Sequence, residues 1–159
     1  MARTPGFLLF PSSAESIRLK DQLEGLFDVV ELNSWNSFSS LDPVEQMCLL
    51  VYDANLVAAQ QDGYQALAKI FPNSVRGAVI DMSELTRIST FPADSMDKLI
   101  VLNPNQDFVV RQLFELTQLF ETLQNLRSFE KLASSDPLTG LRNKRYFIER
   151  LSSEFERAR

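Results

Sequence analysis

Histidine is absent from the 159-residue sequence, and cysteine occurs once. Without histidine, the chain cannot build Ser-His or Cys-His nucleophile systems, histidine proton shuttles or most zinc sites. A single cysteine cannot form an internal disulfide, and this is typical of a protein in a reducing cytoplasm. These two shortages exclude the commonest kinds of nucleophilic and zinc-dependent catalysis.

Long hydrophobic stretches are also lacking. The longest apolar runs are about five to eight residues, far shorter than a membrane span. No basic and then apolar leader with a small-residue cleavage site opens the chain, so export is not expected. The 45% hydrophobic content, with twelve Phe, nevertheless predicts a packed core. We therefore expect a cytoplasmic protein with one domain plus an extension, and no contact with a membrane.

The charge of the chain is acidic and uneven. Residues 1–133 hold 10 Lys and Arg against 17 Asp and Glu, a net charge of −7, whereas residues 134–159 hold 6 against 4, a net charge of +2. Nucleic-acid platforms need clustered Lys and Arg to contact phosphates. An acidic body therefore argues against nucleic acid as a partner.

Short apolar runs alternate with amphipathic segments over residues 1–105. The spacing predicts a helix from Ala14 to Leu26, with Ile17, Leu19, Leu23 and Leu26 inward, and another that opens at Asp62. The predicted strands are Phe7–Phe10, Phe27–Leu32, Met47–Tyr52, Val75–Met82 and Lys98–Leu102. Continuous apolar strands between amphipathic helices are typical of a parallel sheet covered on both faces. The pattern predicts an α/β fold, a flavodoxin-like doubly wound five-stranded parallel sheet.

A long helix is predicted to follow this domain. Residues 106–133 contain no Gly or Pro, so one helix of roughly 40 Å is allowed. Its first half fits packing on its own sheet, but a helix this long outruns a sheet about 20 Å deep. Leu119, Leu123 and Leu126 continue the apolar stripe into the second half. We expect a homodimer through this carboxyl-terminal helix, formed as a two-chain coiled coil.

The tail from Asp136 to Phe147 reads DPLTGLRNKRYF. It resembles the start of the GGDEF family of diguanylate cyclases, in which a D-x-L-T-G-L-x-N-R-R-x-F signature joins a signalling helix to the catalytic domain. Most positions agree with that signature, and Lys144 stands where the family has Arg. The resemblance divides the chain into a domain body over 1–105, a signalling helix over 106–133 and the truncated start of a GGDEF domain over 134–159.

The resemblance to GGDEF cyclases implies a parent molecule that condenses two GTP into cyclic dimeric GMP. In the family, the Asn at position 143 contacts the guanine edge, helped by a carboxylate nine residues later, where this chain has Ser152. The family's metal-binding Asp and its Gly-Gly-Asp/Glu-Glu-Phe hairpin would lie beyond residue 159. We therefore expect Mg²⁺ and GTP to serve only the complete cyclase, with no cofactor, metal ion or catalytic residue in this chain.

The first 130 residues resemble a response-regulator receiver domain. Asp53 ends the third strand as the family's phosphoacceptor does, Asp62-Gly63-Tyr64 resembles the start of a receiver helix, and Ser83 corresponds to a phosphate-contacting Ser or Thr. The family's acidic pair after the first strand is replaced by Pro11 and Ser12, and its Lys after the fifth strand by Asn103. Loss of these groups predicts poor binding of the divalent cation that phosphorylation needs.

Three functional hypotheses remain. The first is a dimerising pseudo-receiver that controls a diguanylate cyclase, with a sensor kinase or regulatory protein as its partner. The second is a working phospho-receiver that accepts phosphate at Asp53 through a nonstandard metal site, to which Asp81 and Glu84 contribute. The third is a small adaptor without any cyclase domain. Under the first hypothesis, Asp53 is a capping or solvated carboxylate at the carboxyl end of the sheet.

Overall fold

The computed structural model describes residues 4–92, 94–103, 105–135, 139 and 141–157. The chain divides into two compact units, residues 1–120 and residues 121–159. The first unit is an α/β domain. The second unit contains the end of a long helix and one further helix.

The first unit is built on five parallel strands. Their bounds are Thr4–Leu9 (β1), Phe27–Leu32 (β2), Cys48–Asp53 (β3), Ser74–Asp81 (β4) and Lys98–Leu102 (β5). The order across the sheet is β2-β1-β3-β4-β5, and every neighbouring pair is parallel. This order is that of a flavodoxin-like doubly wound sheet, which confirms the predicted fold class.

Six α-helices and one 3-10 helix accompany the strands in the described part of the chain. The α-helices span Ala14–Glu24 (α1), Trp35–Ser39 (α2), Ala54–Ala58 (α3), Gly63–Ile70 (α4), Gln106–Ser134 (α5) and Lys144–Arg157 (α6). The 3-10 helix spans Met82–Thr90 and occupies the segment before β5 for which the sequence favoured no element. The helix α3 was not predicted at all.

The predicted inward face of α1 is partly wrong. Leu19 and Leu23 are buried, but Ile17 and Leu26 are exposed. Ile17 lies about 200° around the helix from Leu19, so the two cannot share a face. Leu26 lies beyond the end of α1 at Glu24. The buried position one turn before Leu19 belongs instead to Ser16, which forms a capping box with Ser13.

The core surrounds the central strand β3, whose residues Cys48 to Tyr52 are all fully buried. One side of the sheet is covered by α2, α3 and α4, through side chains such as Phe38, Val57 and Leu67. Burial raises the pKa of the Cys48 thiol to about 11, so this cysteine behaves as an apolar core residue.

The first half of α5 packs on the sheet where Gly77 of β4 leaves room for it. A Cβ at Gly77 on β4 would lie 2.6 Å from a methyl carbon of Leu116 and 2.9 Å from one of Ile100. The lack of a side chain at Gly77 therefore lets α5 approach the sheet closely. Phe120 closes this contact edge-to-face on Phe27, with ring centroids 5.3 Å apart.

The buried amide of Gln112 also fixes α5 to β5. Its Oε1 accepts the N–H of Val101 at 3.0 Å, and its Nε2 donates to the carbonyl of Val101 at 3.1 Å. Because β5 is an edge strand, these backbone groups have no further strand to pair with on that side. The side chain of Gln112 thus substitutes for a neighbouring strand.

The second unit joins α5 to α6 through a short tertiary contact. Ser135 and Arg142 form an isolated antiparallel bridge, and Arg142 also donates to the hydroxyl of Ser134. The guanidinium of Arg142 lies 4.5 Å from the centroid of the Tyr146 ring, a cation–π contact. On α6, Phe147, Leu151 and Phe155 are exposed.

No helix in the described residues is both long enough and apolar enough to cross a membrane.

Candidate ligand crevice at the carboxyl edge of the sheet

A crevice of about 610 Å³ opens in the first unit where the carboxyl ends of the strands meet α1 and α5. The strand ends contribute through Asp53, Asp81 and Leu102, α1 forms one wall, and the start of α5 forms the other. The lining residues are Phe10, Pro11, Ser13, Glu15, Arg18, Leu19, Asp21, Gln22, Asp53, Asp81, Leu102, Asn103, Val109, Val110 and Leu113.

The crevice combines an apolar floor with an acidic rim. Phe10, Leu19 and Leu113 are buried side chains of the lining. The lining contains four carboxylates, of Glu15, Asp21, Asp53 and Asp81, and one guanidinium, of Arg18, so its net charge is −3. This mixture can hold a molecule with an apolar part, and its charge disfavours anions.

Asp53, the phosphoacceptor of the second hypothesis and a capping carboxylate under the first, lines the crevice and also caps α3. Its Oδ1 accepts the N–H of Asn55 at 2.8 Å and that of Leu56 at 3.1 Å. These bonds satisfy the first backbone donors of α3. One carboxylate oxygen of Asp53 is therefore already engaged, which is the arrangement expected of a capping residue.

Ser83, the predicted phosphate contact, does not line the crevice that Asp53 lines. Its hydroxyl donates to Oδ1 of Asp81 at 2.6 Å, and its N–H donates to the same atom at 2.8 Å. These two bonds hold the pKa of Asp81 below its usual range. The structure brings Asp53 and Asp81 to the crevice and engages Ser83 with Asp81.

Two sets of positions that serve phosphorylation in receivers carry different groups here: the acidic pair that holds the cation, and the Lys that pairs with the phosphoryl group. Pro11 and Ser12 follow β1, and Asn103 follows β5, where its Oδ1 accepts the N–H of Asn105 at 2.8 Å. Among the residues that the structure describes, no three His, Cys, Asp or Glu side chains are grouped to hold a metal ion. Pro11 and Ser12 offer no carboxylate to a divalent cation, so we derive no phosphoryl transfer through one.

A polar cluster next to α3 has no signal in the sequence. Asn55 donates to Glu84 of the 3-10 helix, and Glu84 pairs with Arg87 at 3.5 Å. Oδ1 of Asn55 and the hydroxyl of Tyr64 are buried, and neither has a hydrogen-bond partner among the described residues. The five residues of α3 are too few to show a helical period in the sequence. The position of Asn55 next to Glu84 could therefore not be predicted.

Asn143, the predicted nucleotide contact, lies in the second unit at the start of α6. Its Oδ1 accepts the N–H of Tyr146 at 2.9 Å, and its Nδ2 donates to the carbonyl of Ala133 at 2.6 Å. Both ends of its amide are used to join α5 to α6. The nucleotide role of Asn143 stays a prediction, and the motif positions Asp136, Pro137, Leu138 and Gly140 lie outside the described residues.

The residues predicted to form a dimer lie near the middle of α5 and in its second half, with Leu119 in the first unit and Leu123 and Leu126 in the second. Leu119 and Leu123 are half-buried, and the side chain of Leu126 is 52% exposed. Phe129, one turn further, is 68% exposed. The second half of α5 therefore presents apolar side chains to solvent.

The strand order and the crevice define the class of protein, a flavodoxin-like α/β domain with a candidate ligand site at the carboxyl edge of its sheet. Comparisons with known proteins support the fold. The crystal structure of an adenylate cyclase from Rhodopirellula baltica matches with a TM-score of 0.56 over 81% of this chain and 98% of that chain, at 14% identity. At this identity, the likeness shows the fold alone. No protein-family profile matches the chain, and no curated protein matches it.

Proposed function

We propose that this chain is the regulatory module of a signalling protein: a receiver-like domain that dimerises through α5 and controls a diguanylate cyclase domain that follows α6. In this proposal, the module does not use aspartyl phosphorylation. A ligand or partner protein binds the first unit and shifts the equilibrium between two arrangements of the paired helices. The arrangement of the helices then sets whether two GTP-loaded catalytic domains face each other.

The observation that carries the proposal is the division of α5 between the two units. The helix packs against the sheet through Leu113, Leu116 and Phe120, and the same helix then supplies exposed Leu126 and Phe129 to the second unit. An exposed apolar stripe on a continuous helix is typical of a coiled-coil seam. A continuous helix is also an element through which a change at the sheet can reach a distant domain.

Two further observations favour a cyclase as the controlled domain. The tail retains Thr139, Leu141, Asn143, Arg145 and Phe147 at the positions of the GGDEF signature. The structural neighbour from Rhodopirellula baltica is itself described as an adenylate cyclase. We propose a cyclase that condenses GTP because the tail resembles the signature of diguanylate cyclases. The structural likeness to an adenylate cyclase carries no information about the nucleotide.

Sedimentation velocity tests the dimer. We expect the 159-residue chain to be a dimer, held by a coiled-coil seam, at a protein concentration on the order of tens of micromolar. We expect Leu126→Glu to give a monomer, because the charge would be buried in the seam. The control variant Gln124→Glu adds the same charge at another exposed position of α5, and it should stay dimeric. A wild-type chain that sediments as a monomer would remove the dimer from the proposal.

The coding sequence after Arg159 tests the cyclase. We expect it to continue for about 150 codons, the length of a small domain, and to encode a metal-binding Asp and a Gly-Gly-Asp/Glu-Glu-Phe hairpin. The full-length protein should then convert GTP into cyclic dimeric GMP, and Leu126→Glu should reduce that activity while Gln124→Glu leaves it unchanged. A full-length Leu126→Glu variant with undiminished activity would contradict control through α5.

The competing phospho-receiver hypothesis is tested on the same chain. Asp53 ends β3, as the phosphoacceptor of receivers does, and it lines the crevice together with Asp81. Incubation with Mg²⁺ and acetyl phosphate, followed by intact mass measurement, should show no phosphate adduct. A single adduct that disappears in Asp53→Asn would favour phosphorylation over our proposal.

A further inference from the structure

The crevice lies where doubly wound sheets bind their ligands. In the order β2-β1-β3-β4-β5, the chain leaves β1 in one direction toward β2 and later returns to β3 on the other side. Ligands bind outside the carboxyl ends of the strands at such a reversal. The volume of about 610 Å³ falls within the range of ligand pockets and far exceeds what a single metal ion fills.

The floor of the crevice favours a molecule with an apolar body. Phe10, Leu19 and Leu113 form buried surface at its base, and Val109 lies half-buried on α5. Val110 is 41% exposed and also lines the crevice. A ligand that covered Val109 and Val110 would gain hydrophobic free energy from the apolar area removed from water, whereas Phe10, Leu19 and Leu113 are already buried and add van der Waals contact.

The negative charge of the rim, which is independent of its apolar floor, favours a ligand whose polar group is positively charged. Glu15 and Asp21 on α1 have no ion-pair partner among the described residues. Asp53 and Asp81 each use Oδ1 in local hydrogen bonds. With Arg18 as the sole cation of the lining, an anionic ligand would meet net repulsion, whereas an ammonium or guanidinium group would be attracted.

We infer that this crevice binds a small organic cation, an amine or guanidine attached to an apolar body. The apolar floor holds the body, and the carboxylates of α1 and of the strand ends hold the charged group. The site belongs to the first unit alone, so this inference goes beyond the proposed function and does not depend on the dimer or on a cyclase. If the proposed function also holds, such a cation is the input signal of the module.

Isothermal titration of the 159-residue chain with three probes of matched size tests the inference. The probes are 4-phenylbutylamine, 4-phenylbutanol and 4-phenylbutyrate, which are cationic, neutral and anionic at pH 7. We expect the amine to bind about tenfold more tightly than the alcohol at low salt, and the carboxylate to bind most weakly. Raising the salt concentration from about 20 to about 500 mM should weaken the binding of the amine and leave the binding of the alcohol unchanged.

Two variants and one control locate the binding site. Val110→Trp should fill the crevice and abolish binding of the amine, with the circular dichroism spectrum unchanged because the position is partly exposed. Asp21→Asn should lower the affinity for the amine about two- to fivefold and leave the affinity for the alcohol unaltered. This second variant keeps the test decisive if the tryptophan perturbs folding. Asp28→Asn, on β2 and outside the crevice, should bind like the wild-type chain.

Three results would overturn the inference. The first is equal affinity for the amine and the alcohol, because the acidic rim would then contribute nothing. The second is unchanged amine binding in a folded Val110→Trp variant, since the binding would then lie elsewhere. The third is the absence of amine binding at amine concentrations up to about 10 mM. The binding free energy would then be weaker than about −3 kcal/mol, which is too weak for a specific binding site.

Discussion

The two halves of α5 carry similar apolar residues in opposite environments. Leu113, Leu116 and Phe120 of the first half are buried, whereas Leu126 and Phe129 of the second half are exposed. A helix of 29 residues is roughly 43 Å long, while a strand of six residues covers about 20 Å. The sheet can therefore cover only the first half. The comparison shows that the burial of a helical residue depends on whether another element packs against it. The apolar repeat in the sequence does not by itself decide burial.

The sharpest way to break this comparison is to remove one leucine from each half. Leu116→Ala should lower the free energy of unfolding by about 2–5 kcal/mol, because it opens a cavity above Gly77. Leu126→Ala, at a dilution where the chain is monomeric, should lower it by less than about 0.5 kcal/mol. Urea unfolding followed by the fluorescence of Trp35, the single tryptophan, measures both. Equal losses for the two variants would contradict the difference in burial.

A smaller effect is expected from the polar contact between α5 and the edge strand. Gln112→Ala should lower the free energy of unfolding by about 1–3 kcal/mol, because the N–H and carbonyl of Val101 lose their partner. Hydrogen exchange at the amide of Val101 should accelerate in the folded variant. Gln124→Ala, an exposed glutamine in the second half of α5, is the matched control and should change neither quantity. An unchanged exchange rate at Val101 in Gln112→Ala would mean that this amide is protected by something else.

The smallest effect concerns an ion pair on the outside of the first half. Lys98 on β5 contacts Glu115 on α5, and this lysine is the main cause that holds the pKa of Glu115 below its ordinary value of 4.5. A carboxyl group with a lowered pKa stabilises the fold above 4.5, and this contribution is lost as the pH falls through the lowered value. Both side chains are substantially exposed, so the stabilisation is small and is screened by salt.

Glu115→Gln should therefore make the free energy of unfolding slightly less dependent on pH in the acidic range below 4.5. Unfolding by urea at a series of pH values measures this slope. Glu130→Gln, in the exposed second half of α5, serves as the control, because the structure shows no ion pair to that residue among the described residues. A slope that is identical in Glu115→Gln and in the wild-type chain would show that the ion pair contributes nothing.

The strands were predictable because buried parallel strands appear as continuous apolar runs. The prediction of β5 over Lys98–Leu102 agrees with the structure at both ends, and β3 differs by one residue at each end. The helices were less predictable. The five residues of α3 are too few to show a helical period, and the helix depends on the cap that Asp53 supplies. The error at Ile17 arose because its spacing from Leu19 was treated as helical when it is not.

The candidate site was predictable only in part. The sequence placed Asp53 at the carboxyl end of a central strand, and the structure places it there. Glu15, Arg18 and Asp21 carried no signal, because charged residues on an amphipathic helix are ordinarily solvated. Their place at the crevice follows from the packing of α1 and α5 at the edge of the sheet. The pairing of Ser83 with Asp81 likewise depends on a turn that the sequence did not reveal.

The sequence by itself determined the fold class and the long helix, because apolar runs and an interval free of Gly and Pro are local properties of the chain. Only the tertiary structure decided which half of α5 is buried, which oxygen of Asp53 is engaged and which acidic groups surround the crevice. These properties depend on residues that are far apart in the chain, such as Gly77 and Leu116 or Asp21 and Val110. Contacts of this kind form when the elements pack, and no local pattern in the sequence encodes them.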